Sequence, residues 1–220
     1  MTKNRSYKLL CPIARALDRI GDRWTLLILR DLHAGPARFS DLQRGLTGIA
    51  ANLLTDRLAK LVGDGLVVKT EGAHGTSVYE LTDLGEKTSD IIFELAMFGA
   101  RFAPEEELVT PGNLRTVATT IGAAAKRVAT PELNLDASFV VDGEQMHLSV
   151  HDGRAKMIYA PCPEPDLILS TGYLDLLAVS EGDLTLDEFV RGRCELRVLT
   201  QEKERGFVEL MTNIVALMNK

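Results

Sequence analysis

No stretch of this 220-residue chain reaches the roughly 18–20 consecutive apolar residues that a membrane-spanning helix needs. The opening segment, MTKNRSYKLLCPIARAL, has neither a long apolar run nor a small-residue cleavage site, so no signal peptide is expected and the expected location is cytoplasmic. Cysteine is scarce: Cys11, Cys162 and Cys194 are an odd number, and none lies in a CxxC or mixed Cys/His cluster. A disulfide framework and a zinc site are therefore not expected, and no cofactor is implied. The chain also lacks a nucleophile elbow, a phosphate loop and a metal-ligand spacing, so an enzyme is not expected. A basic excess is missing too, since the formal net charge is -6. The deficit is uneven. Residues 1–103 hold 14 Lys and Arg against 12 Asp and Glu, whereas residues 104–220 hold 11 against 19. The acidity belongs to the second half, where it disfavours non-specific contact with nucleic acid.

The most informative stretch runs from Arg38 to Glu80. Ser40 stands where a helix cap is expected, ahead of Leu42 and Leu46, and Thr47-Gly48 breaks that run. From about Ile49 a second helix is predicted, with Ile49, Leu53, Leu54, Leu58, Leu61 and Val62 on one stripe and Ala51, Asn52, Thr55, Asp56 and Lys60 opposite. Residues 66–69 and 78–81 read as two strands around a Gly-containing turn. Helix, tight turn, helix and hairpin is the layout of a winged helix-turn-helix, whose second helix fits a DNA major groove. On that reading Asn52 and Thr55 face bases beside the small Ala51. Arg38, Ser40, Thr47, Lys60 and Lys69 hold phosphates, with Arg44 and Arg57 adding charge, and His74 at the wing tip enters the minor groove. The alternative is a three-helix packing motif with no nucleic acid.

Upstream, Pro12 suits a first helical turn, with Ile13, Ala16, Leu17 and Ile20 as its stripe, and residues 23–32 form a second apolar helix containing the only Trp, Trp24. Downstream, Thr82 caps a final helix whose Ile91, Ile92, Leu95, Phe98 and Phe102 exceed what a small winged helix needs for itself. That surface either pairs with a second subunit, together with the N-terminal helix, or packs within the chain. Residues 103–112, with two Pro and three consecutive Glu, read as a linker.

The blocks CPIARALDRIGDRWTLLILRDL, RFSDLQRGLTGIAANLLTDRLAKLVGDGLV and VYELTDLG together resemble the HxlR-type, MarR-like winged-helix regulators of bacteria over residues 9–102. The resemblance implies a homodimeric DNA-binding transcription factor with a double-stranded operator as partner. It also implies a role for Cys11, because several members carry an oxidant- or electrophile-sensing cysteine at that position. The residue-level alternative is a small side chain packed under the dimer helix. Two positions depart from the family: Asp22-Arg23 replaces the usual Gly-Lys, and Ala50 stands where a Ser usually caps the recognition helix or contacts phosphate.

The second half reads as α+β. A helix over 113–129 precedes three alternating strands separated by Asp142-Gly143 and Asp152-Gly153, strong hairpin signals. A strand at 166–171, short helices at 173–179 and 186–190, a strand at 194–199 and a helix at 205–218 complete it. The run from Asp142 to Leu199 resembles a sterol-carrier-protein-like domain: the strand-DG-strand meander, Pro165-Asp166, and the Phe189 to Gly192 helix carry the likeness. It implies an antiparallel-rich five-stranded sheet covered by helices, some members keeping an apolar tunnel. Candidate lining residues are Phe139, Met146, Leu148, Met157, Leu174, Leu177, Phe189, Leu210 and Ile214; the alternative is plain core. His147 and His151 fall on the other strand face and are read as solvated. The expected organisation is a winged-helix DNA-binding and dimerisation domain over 1–103, a linker over 104–112 and an effector domain over 113–220. The expected function is a dimeric repressor that binds a small apolar effector. The alternatives are a redox regulator acting through Cys11 and a lipid-binding protein whose winged helix does not bind DNA.

Overall fold

The structure, a computed structural model, describes residues 6–72, 75–102 and 113–219. The wing-tip His74 and the linker over 104–112 lie outside the described residues. The chain divides into two compact units, Met1–Ser89 and Asp90–Lys220. No helix among the described residues is long and apolar enough to cross a membrane.

The first unit opens with α1 (Pro12–Ile20), α2 (Arg23–His33), α3 (Phe39–Gly45) and α4 (Ala51–Gly63), followed by the hairpin β1 (Val67–Glu71) and β2 (Ser77–Leu81) and the single turn α5 (Asp83–Glu86). Pro12 occupies the first turn of α1, where its missing N–H costs nothing. Asp22 caps α2, its carboxylate accepting from the Trp24 and Thr25 amides at 3.0 and 3.3 Å. Ile28 and Leu29 from α2, Leu42 from α3, and Leu54, Leu58 and Leu61 from α4 form one core, all at most 1% exposed. Ala37, just ahead of α3, pairs with Tyr79 on β2 through two backbone hydrogen bonds of 3.0 and 2.8 Å. This bridge fixes α3 against the wing.

Three local expectations shift. Ser40 is not the α3 cap: Arg38 holds that place in an extended conformation, its N–H donating to the Asp41 carboxylate at 3.3 Å, because the Ala37–Tyr79 bridge ends the extended segment there. The second helix begins at Ala51 rather than near Ile49, since Gly48, at φ +92°, turns the chain and Ile49 is buried beneath it. Thr82 caps only the short α5, its hydroxyl accepting from the Gly85 amide at 3.1 Å, and a separate helix α6 (Ser89–Gly99) begins after it. The break arises where Thr88 Oγ1 donates to the Gly85 carbonyl at 2.7 Å.

In the second unit α6 is followed by α7 (Leu114–Val128), capped by Asn113, whose side chain accepts from the Arg115 amide. Then come β3 (Leu135–Val141), β4 (Glu144–His151), β5 (Arg154–Ile158), β6 (Leu167–Thr171), α8 (Tyr173–Glu181), α9 (Leu186–Gly192), β7 (Cys194–Val198) and α10 (Glu204–Met218). The sheet is ordered β5-β4-β3-β6-β7; β3 and β6 run parallel and the other pairs antiparallel. Asp142-Gly143 and Asp152-Gly153 both adopt positive φ at both positions, as a two-residue hairpin turn requires. Alternation sorts the faces. Leu135, Ala137, Phe139 and Val141 with Met146, Leu148 and Val150 are wholly buried, while Asp136, His147, Ser149 and His151 take the other face. Phe139 meets Phe207 of α10 at 6.0 Å between ring centres. At Gly122 α7 lies so close to β5 that an added Cβ would stand 3.0 Å from that of Met157.

Candidate nucleic-acid interface

Helix α4 presents the features that a groove-reading helix needs. Leu54, Leu58 and Leu61 bury its inner stripe, which leaves Ala51, Asn52, Thr55, Asp56 and Ala59 exposed on the outer face. Its cap residue Ala50 offers no side-chain acceptor, so the first-turn amides are not capped from Ala50. The Asn52 Oδ1 accepts from the Leu53 amide at 2.9 Å, and the Thr55 hydroxyl donates back to the Ala51 carbonyl at 2.9 Å. These two side chains therefore lie in defined positions beside a small residue.

The inner flank of α4 is held by charge. Arg57 donates from Nε and Nη2 to the two oxygens of Asp22, at 3.0 and 3.1 Å. Lys60 Nζ donates to the Asp18 and Arg19 carbonyls at 2.9 and 2.7 Å and to Asp64 at 3.3 Å, and Asp64 also takes Arg19 at 2.6 Å. Arg57 and Lys60, both expected from sequence to serve DNA, thus tie α4 to the ends of α1 and α2 and project from its half-buried flank rather than its outer face. Burial pushes the Asp22 carboxyl up, but the Arg57 guanidinium and the Thr25 and Trp24 amides together outweigh it, and it titrates below the usual carboxylate value.

The other candidates in the first unit are distributed around that helix. Arg38 and Ser40 are exposed at the start of α3, and Thr47 is exposed in the turn before α4. Lys69 is exposed on β1, its ammonium 5.8 Å from the Tyr79 ring centre. Cys11 is an exposed thiol at the start of α1, so the packed-residue alternative does not describe it within one chain.

A cavity of about 130 Å³ lies in the second unit among α7, α8, α9 and α10. Of the nine residues expected to line a tunnel, Leu177, Phe189 and Ile214 do so. Phe139, Met146, Leu148, Met157 and Leu210 are buried core and Leu174 is 70% exposed. Side chains of α7 and α10 fill the space over the sheet, so the opening is left between helices instead. Thr116, Thr120, Tyr173, Leu176 and Met218 line it and were missed, because periodicity marks an apolar stripe without saying which neighbour it meets. His147 and His151 are not simply solvated: both rings bond the Asp136 carboxylate, at 2.6 and 2.9 Å. Burial, with smaller contributions from nearby carboxylates at Cys162, raises the thiol pKa of Cys162 and of Cys194.

Residues 19–107 match the family model described as HxlR-like helix-turn-helix. The chain is similar to the uncharacterized HTH-type transcriptional regulator YtfH of Escherichia coli K12, 35% identical over 39% of this chain and 70% of that one. It is likewise similar to YkvN of Bacillus subtilis 168, described in the same words, at 31% identity over 49% of this chain and 98% of that one. An HTH-type transcriptional regulator of Mycobacterium tuberculosis H37Rv is 37% identical over 43% of this chain, which spans 61% of that relative's length. A solved structure described as a MarR-family transcriptional regulator of Porphyromonas gingivalis W83 aligns at 34% identity over 43% of this chain and 94% of that one, with a TM-score of 0.41. With over two thirds of YtfH and nearly all of YkvN covered at 30% identity or more, this chain belongs to the HxlR-like helix-turn-helix family.

Proposed function

We propose that the chain is a transcriptional regulator rather than an enzyme, that it binds an operator as a homodimer, and that it acts as a repressor. The observation that carries this reading is the outer face of α4, where Asn52 and Thr55 flank the small Ala51 above a wholly buried stripe. Family membership and the relatives' descriptions as transcriptional regulators support it. Asn52 is the base reader, since its carboxamide suits an adenine edge. Arg38, Ser40, Thr47 and Lys69 serve the backbone; Arg57 and Lys60 orient the helix. Two exposed apolar rows, Ile13 and Leu17 on α1 with Leu10 just before it, and Ile91, Leu95 and Phe98 on α6, support self-association through those helices. Asn52→Ala is expected to lose about 10–100-fold in preference for the operator over random duplex, the value of one bidentate base contact, with random binding unchanged. Fluorescence anisotropy on both duplexes measures this, and equal losses on the two would remove Asn52 from base reading.

The second unit, in this reading, has a sterol-carrier-protein-like fold and receives a small apolar effector. The size of its cavity limits that effector. A volume of about 130 Å³ matches cavities of about 150 Å³ that take benzene or xenon, and is too small for a long acyl chain. Native mass spectrometry of the purified chain with added aromatic compounds is expected to give one ligand per chain; uptake of long fatty acids and not of ring-sized molecules would contradict the assignment.

A second reading is favoured by one observation, the exposure of Cys11. An accessible thiol on α1 permits oxidant control of the same dimer. Under it, oxidant releases DNA from the unaltered chain and not from Cys11→Ser. Release from both would dismiss Cys11 as the sensor.

A further inference from the structure

The face of the second-unit sheet that turns away from the cavity carries a group of side chains that neither the helix-turn-helix nor the cavity uses. Antiparallel register places Asp136 of β3 opposite Ser149 of β4. Residues 147, 149 and 151 share one face, so the two histidines flank the carboxylate diagonally. His147 Nε2 lies 2.6 Å from Asp136 Oδ1 and His151 Nε2 lies 2.9 Å from Oδ2.

A third donor comes from the connection between β5 and β6. That connection reads Pro161-Cys162-Pro163-Glu164-Pro165, and its three fixed φ angles stiffen it. Asp166 pins its end to β3: the Asp136 amide donates to the Asp166 carboxylate at 3.0 Å, and the Asp166 amide donates to the Asp136 carbonyl at 2.7 Å. As a result a carboxylate oxygen of Asp136, a ring nitrogen of His147 and the sulfur of Cys162 all lie within 4.8 Å of one another, each half-buried. Donors around a tetrahedral Zn²⁺ stand roughly 3.4 Å apart, as Zn–N, Zn–O and Zn–S bonds of about 2.0–2.3 Å require. The difference is at most about 1.4 Å for each donor pair.

We propose that Asp136, His147 and Cys162 bind one transition-metal ion of the Zn²⁺ class, with His151 holding the second oxygen of Asp136. The donor set selects the class. A thiolate and an imidazole disfavour Mg²⁺ and Ca²⁺, while a carboxylate beside them suits Zn²⁺ or Co²⁺. The proline-flanked connection sets the Cys162 sulfur beside both of the other donors. The metal replaces the proton between His147 Nε2 and Asp136 Oδ1, which moves to Nδ1 of the ring, and the thiol proton of Cys162 passes to solvent. The fourth position is taken by water.

Co²⁺ added to the reduced, metal-free full chain tests it. The expected result is one Co²⁺ per chain, with visible bands of a tetrahedral ion and a near-ultraviolet thiolate-to-cobalt band, both removed by Zn²⁺. Cys162→Ser loses the thiolate band, while Cys11→Ser and Cys194→Ser keep it. His151→Gln weakens affinity about 10–100-fold, the usual cost of a group that orients a ligand. Should Cys162→Ser fail to fold, peptide mapping of the unaltered chain decides: Zn²⁺ is expected to protect Cys162 from alkylation. Absence of a thiolate band, a band that follows Cys11 or Cys194, or unprotected Cys162 at saturating Zn²⁺ would overturn the proposal.

Discussion

Gly85→Ala is expected to destabilise the first unit by about 3 kcal/mol or more, because there is no room for a methyl group. A Cβ built on Gly85 would stand 2.1 Å from the backbone oxygen of Leu66. That oxygen accepts from the Thr82 amide at 3.1 Å, directly below the Val67–Leu81 pair that closes the wing. A backbone carbonyl in this position cannot swing aside as a long side chain would, so either α5 lifts or the base of the hairpin opens. Trp24 is the only tryptophan and lies on α2, so its fluorescence reports the unit affected. The midpoint of the Trp24 transition should fall by roughly 10 °C or more for a unit of this size. An unchanged midpoint would show that the close approach at Gly85 does not constrain the wing.

Asp22→Ala is expected to cost about 2 kcal/mol and to loosen α4 without touching its outer face. Two roles meet in this carboxylate. It caps α2, which is worth about 1 kcal/mol, and it receives both prongs of Arg57, a part-exposed pair worth at most about 1 kcal/mol more. The Arg57→Ala background separates the two, since the capping loss persists there and the pairing loss does not. The pH dependence has a definite sign. Folding lowers the Asp22 pKa, so its contribution is complete above the ordinary carboxylate range and is lost as pH falls through the folded value. Urea midpoints should therefore drop more steeply between about pH 5 and pH 3 in the unaltered chain than in Asp22→Ala. Parallel curves would exclude Asp22 as a contributor to acid sensitivity.

Most element positions were legible because they rest on local signals. Pro12, the positive-φ Asp-Gly turns and the strict alternation of β3 and β4 each determine structure within a few residues. The Ala37–Tyr79 bridge was not legible, and with it went the true start of α3, because a single long-range pair overrode the capping preference of Ser40. The roles of Arg57 and Lys60 were hidden for the same reason. A cation on α4 carries no sequence mark of the partners it finds at Asp22 and at the end of α1. The tunnel residues were misplaced because an apolar stripe does not reveal whether it meets a sheet or a gap between helices. Asp136, His147 and Cys162 are 11 and 15 residues apart in sequence, and only strand register and a proline-stiffened connection bring them together.

Selection of binding sites from a random duplex pool by the purified chain, followed by salt titration on the recovered site, addresses the role of α4 most directly. A two-fold-related sequence should emerge, bound at least about 10³ more tightly than random duplex. Its affinity should fall with added salt in proportion to the phosphates contacted. Asn52→Ala should recover a relaxed version of the same site. Recovery of no enriched sequence, or of the same sequence at the same stringency by Asn52→Ala, would contradict operator reading by α4.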